Sequence, residues 1–143
     1  MIKHIWSVLC EDSTIDQETN KLSIRNIIET IEVRSNAPKP FPDKIIVPIN
    51  FEIVSYLTRS DSNDEERIPF KAELLNAEMD KISEFQTKIV FPKNSNKLRS
   101  RAKVNGILIR GEGKYVFMIY LEIEKDKKPE LVAELPLEIK FLK

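Results

Sequence analysis

Apolar side chains recur on every second residue through most of this chain, and no other feature limits its fold so strongly. In IIVPINFEIVSYL (45–57), Ile45, Val47, Ile49, Phe51, Ile53 and Leu57 share one face, while Pro48, Asn50, Glu52 and Tyr56 share the other. Only an extended backbone sends successive side chains to opposite sides, so this pattern predicts a half-buried strand. KYVFMIYLEIE (114–124) repeats it with Tyr115, Phe117, Ile119, Leu121 and Ile123 in phase. LVAELPLEIKF (131–141) does so from Leu131 to Phe141. IPFKAELL (68–75) and ISEFQTKIVF (82–91) follow the same rule.

Other stretches carry information in their irregularity. Residues 2–10 (IKHIWSVLC) are apolar in both phases, as a more central strand would be. Residues 21–33 change phase near Asn26, and 98–110 change phase after Val104, which predicts bulges at Asn26 and Gly106. Pro48 and Pro136 have no N–H to donate, so Pro48 predicts a sheet edge or a bulge and Pro136 a sheet edge. AELLNAEMDKI (72–82) also admits a short helical stripe through Leu74, Leu75 and Met79. Polar and Pro-rich turns separate the strands. GEG (111–113) reads as a hairpin turn, and SNAPKPFPD (35–43) as a crossover between two sheets. About eight short strands without helix–strand alternation predict an all-β protein. The expected architecture is one antiparallel β-sandwich domain over 1–143, immunoglobulin-like or C2-like.

The composition supports a buried core: 41% of residues are apolar and 32% charged. Lys plus Arg and Asp plus Glu number 23 each, so no global field selects nucleic acid or membrane. Cys10 is the single cysteine and cannot form an internal disulfide. The start, MIKHIWSVLCEDS, lacks a signal-peptide pattern, and no apolar run reaches the ~18 residues of a membrane helix. A cytoplasmic protein with no membrane partner is the expectation.

Most catalytic chemistry fails on inventory. His4 is the sole histidine, so a two-histidine zinc site cannot form, and a triad would depend on that one residue. His4 and Cys10 would share a face of a regular strand about 20 Å apart at ~3.3 Å per residue, too far for proton transfer. Three glycines build no phosphate loop, and GEGK (111–114) leads into a strand instead of a helix. DSNDEE (61–66) resembles a calcium loop only in acidity: an EF-hand needs Gly and Glu where Glu66 and Ala72 stand. No catalytic residue, metal or cofactor is expected.

The sharpest candidate site is NKLRSRAKVNG (96–106). Lys97, Arg99, Arg101 and Lys103 would project from one side of a strand about 7 Å apart, close to the phosphate repeat of one nucleic-acid strand. No aromatic residue interleaves with them, and exposed basic residues also protect strand edges from aggregation. Glu122 and Glu124 are candidates to neutralise the stripe across strands. Two Pro-bearing strands point instead to exposed edges that pair with another chain, with Trp6 and Phe41 as candidate anchors. The expected role is a non-catalytic binding or assembly module with a protein partner or self-association. Anion or nucleic-acid binding through 97–103 is the alternative.

Residues 8–31, VLCEDSTIDQETNKLSIRNIIETI, carry an acidic pair (Glu11, Asp12) and a polar turn closing on Asn20 and Lys21. Leu22, Ser23, Ile24 and Asn26 follow, ahead of more apolar residues. Together with AELPLEIKF (133–141), this pattern resembles a family of short bacterial proteins known only as a domain of unknown function. Glu11 stands where that family more often has Asp, and Asn26 where Gly is frequent. The resemblance implies a bacterial β-sandwich and supplies no activity, ligand or catalytic residue.

Overall fold

A computed structural model describes residues 1–34, 44–60, 63–124 and 127–142. The alternating stretches all become strands, and no helix occurs among the described residues. The order is β1 (Ile2–Ile15), β2 (Leu22–Ile27), β3 (Thr30–Arg34), β4 (Ile45–Arg59), β5 (Glu66–Leu75), β6 (Lys81–Phe91), β7 (Lys97–Ile109), β8 (Gly113–Leu121) and β9 (Glu130–Leu142). They form a four-stranded sheet, β2-β1-β4-β7, and a five-stranded sheet, β3-β9-β8-β5-β6. Every pairing is antiparallel except β3 with β9, which is parallel and departs from the all-antiparallel expectation.

The two sheets close over one apolar core. Phe51 and Ile53 of β4 face it from the first sheet, and Phe70, Phe117, Ile119 and Ile139 from the second. Phe51 and Phe117 bridge the layers with ring centroids 5.8 Å apart. Each side chain of this size contributes about 1.5–3 kcal/mol when taken fully out of water.

Several local expectations change with topology. Residues 21–33 are two strands, not one bulged strand. Asn26 has a positive φ near the end of β2, and Ile28 and Glu29 then carry the chain into the other sheet. GEG is not a hairpin: it passes from β7 in one sheet to β8 in the other. Tyr115 fixes this turn, its hydroxyl accepting from the Arg110 N–H and donating to the Gly111 carbonyl. The helical alternative at 72–82 gives way to a β5–β6 turn, with Met79 at φ 66°. The segment 35–43 joins β3 and β4 of different sheets, as a crossover should, but itself lies outside the described residues.

Pro48 does not mark an edge, because β4 is central, between β1 and β7. It falls instead where the β4–β7 register slips between Val47 and Asn50, opposite Gly106. Gly106 has φ 81°, a backbone that side chains other than glycine adopt at a cost, so the bulge predicted there is present. Pro136 sits on the half of β9 that, among the described residues, pairs with β8 alone, since β3 reaches only Glu138–Leu142.

β4 is half-buried as expected only in its first half, where Pro48 and Asn50 are exposed. Glu52 and Val54, on its expected wet face, are buried. The β1–β2 hairpin explains this. Its turn residue Asn20 lies over β7, two strands away from β1.

Candidate functional site

The basic stripe lies on β7, an edge strand of the four-stranded sheet. The β4 register sets Lys97 beside Thr58, Arg99 beside Tyr56, Arg101 beside Val54 and Lys103 beside Glu52. All four therefore point to one side, as the alternation predicts. Two of them work as clasps. Arg99 donates to both the carbonyl and the Oδ1 of Asn20, each at 2.7 Å. Arg101 donates to the Ser13 carbonyl at 3.2 Å. These contacts hold the hairpin down on the sheet.

The clasps leave the charge in place, because their acceptors are neutral. Among the described residues no carboxylate forms an ion pair with Lys97, Arg99, Arg101 or Lys103. Glu122 and Glu124 do not neutralise the stripe: they follow β8 of the other sheet, and Glu124 pairs with Lys127 at 2.6 Å. The acid beside the stripe is Glu52, which accepts a hydrogen bond from Ser13 under the hairpin.

The stripe also has an aromatic neighbour that chain order conceals. Trp6 pairs with Tyr56, and Tyr56 pairs with Arg99, so the three form one row across β1, β4 and β7. The Trp6 and Tyr56 rings lie 5.9 Å apart at 57°. A bulge between His4 and Trp6 produces this arrangement. With Ile5 as the extra residue, His4 lines up with Leu57 on the core side, and Trp6 lines up with Tyr56 on the outer side. Trp6 is thus a half-buried outer-face residue. Phe41, the other candidate anchor, lies outside the described residues.

The same bulge separates His4 from Cys10, which the unbroken pattern placed on one face. His4 Nε2 and Ser7 Oγ are 2.7 Å apart, and Ser7 Oγ lies 2.7 Å from Ser55 Oγ. Burial pulls the His4 pKa down, which keeps the ring neutral inside this short polar chain. Cys10 is fully buried, and desolvation, with smaller contributions from Glu52 and Asp12, pushes its thiol up to about 11. A thiol held protonated is a poor nucleophile. Of the acidic run 61–66, Asp61 and Ser62 lie outside the described residues. Among those described, no group of three or more His, Cys, Asp or Glu is placed to hold a metal.

A second feature has no signal in any single segment. β2 pairs only with Cys10–Ile15 of β1, so Ile2–Val8 pair with β4 alone among the described residues. The Glu130–Leu137 half of β9 is likewise paired on one side. These two half-edges run toward Ile28–Glu29, where the chain crosses between sheets. There the Ile28 N–H donates to the Leu9 carbonyl, and the Glu138 N–H donates to the Glu29 carbonyl. The groove between them has a volume of about 540 Å³ and is lined by Val8, Leu9, Ile27, Ile28, Leu135 and Leu137 among others. Ile27 is 60% exposed. Ile5 and Leu131, on the same two half-edges, are also among the exposed large apolar residues.

No family model matches the chain, and no curated protein matches it.

Proposed function

We propose that the chain is a non-catalytic protein-binding module whose groove between β1 and β9 receives an extended segment of a partner. The observation that carries this reading is the pair of one-sided strands flanking apolar walls. An unpaired strand edge offers N–H and C=O groups at the spacing of another peptide backbone, and apolar walls take alternate side chains. The chain's own Ile28–Glu29 step already bonds to both sides at the head of the groove, so an incoming segment would extend a pattern that has begun. The two sheets and their shared core support a sandwich of immunoglobulin-like or C2-like type. The resemblance of both chain ends supports membership of the bacterial family named above and, with a single buried thiol, a cytoplasmic setting.

The test is selection of random displayed peptides against the folded protein. Sequences with alternating apolar residues should be enriched. Their binding should slow amide exchange at Ile2–Val8 or Glu130–Leu135, and Ile27→Lys should abolish it. Peptides that bind but protect neither half-edge would overturn the reading. So would a stable dimer that Ile27→Lys dissociates, because a second copy would then fill the groove.

A further inference from the structure

A separate cleft of about 700 Å³ opens on the outer face of the four-stranded sheet, beside the loop 92–96. Trp6 and Tyr56 line it, and so do Lys97, Arg99, Asn94 and Asn96. Among the described residues no carboxylate contributes to its wall. We infer that this cleft binds single-stranded nucleic acid, with a base against Trp6 and Tyr56 and the adjoining phosphates at Lys97 and Arg99.

Three observations converge on that ligand. An aromatic pair beside cations takes a planar ring and an anion together, which is the repeating unit of a single strand. The exposed Asn94 and Asn96 amides, which make no side-chain hydrogen bond within the protein among the described residues, can each donate to and accept from a base edge. The walls are also held in advance. Buried Arg59 donates to the carbonyls of Ser95 at 2.8 Å and Pro92 at 3.0 Å, fixing the backbone that carries both asparagines. Arg99 is held by Asn20, so its charge is presented without the entropy of a free side chain. A duplex does not suit the cleft, because its bases are stacked inward and cannot reach the rings.

Trp6 is the only tryptophan, so intrinsic fluorescence reports on this site alone. Titration with a single-stranded oligothymidylate in low salt should quench and shift its emission. Tyr56→Ala should weaken binding by roughly tenfold, the loss of about one base stack. Lys97→Gln, at an exposed position, should reduce the dependence of log affinity on log salt by about 0.7, the share of one single-strand phosphate. Lys140→Gln, an exposed position on the other sheet, should leave both unchanged. Emission that does not respond to the oligonucleotide would overturn the inference. Quenching by dextran sulfate but not by oligothymidylate would also overturn it, and would reassign the cleft to acidic glycans. Neither result bears on the groove between β1 and β9.

Discussion

Cys10 is packed where β1 passes between β2 and β4, with no exposed surface. A thiol-specific disulfide reagent should therefore modify it only through unfolding, at a rate that rises with urea concentration. Its raised pKa also sets a sign. Below about pH 9 the thiol is protonated in folded and unfolded chains alike, and its contribution is fully present. Between its ordinary value of 9.0 and about 11 only the unfolded chain ionises, so stability falls with rising pH across that window. Urea titrations of the native protein and Cys10→Ala should show the native curve falling more steeply there. Equal slopes would mean the thiol is not shielded. The alternation of residues 2–10 already placed Cys10 in a strand, on a face shared with His4. The raised pKa was not legible, because the desolvation that causes most of it comes from packing between β2 and β4, and Glu52 reaches the thiol only through the pairing of β1 with β4.

At the scale of elements, two crossovers between the sheets meet at one arginine. Arg59, whose side chain is 1% exposed, ends β4. It reaches Glu66 at the start of β5 at 2.9 Å and the carbonyls of the β6–β7 loop, and its guanidinium lies 4.8 Å from the Phe91 ring centroid. Arg59→Ala leaves two carbonyls without their donor and should cost about 2–4 kcal/mol in urea denaturation. Arg59→Lys keeps the charge but not the planar fork, and should recover only part of that. An alanine variant within about 0.5 kcal/mol of the native protein would show that the loop finds other partners. Strands were the most legible part of the molecule. Ile68, Phe70, Ala72 and Leu74 alternate, and all four are buried. Connections were less legible. GEG has hairpin chemistry, yet its two strands belong to different sheets, a choice made by the core behind Tyr115 and not by the glycines. The basic stripe was legible as a row on one strand. Its aromatic partners were not, because Trp6 and Tyr56 are fifty residues apart in sequence and one inserted residue at Ile5 decides which face Trp6 takes.

At the scale of the whole molecule, most pairing is between distant segments. Ile2 pairs with Arg59, Ile45 with Ile109, and Thr30 with Glu138. Loop closure must precede the gain from such contacts, so refolding should take milliseconds to seconds, slower than for helical proteins of similar length. Stopped-flow dilution from urea, followed by Trp6 emission, measures this directly. Completion within about 100 microseconds would contradict a rate limited by distant strand pairing.

The parallel pairing of β3 with β9 also matters while the chain is being made. β3 leaves the ribosome early, yet the strand it pairs with is the last of the nine to emerge. β8 waits for the same strand on its other side. Until β9 is made, β3 therefore has no sheet partner, and β8, itself a late strand, keeps one bare edge. Thr30–Arg34 gain their partner only with Glu138–Leu142, so the five-stranded sheet cannot be completed before β9 has been made.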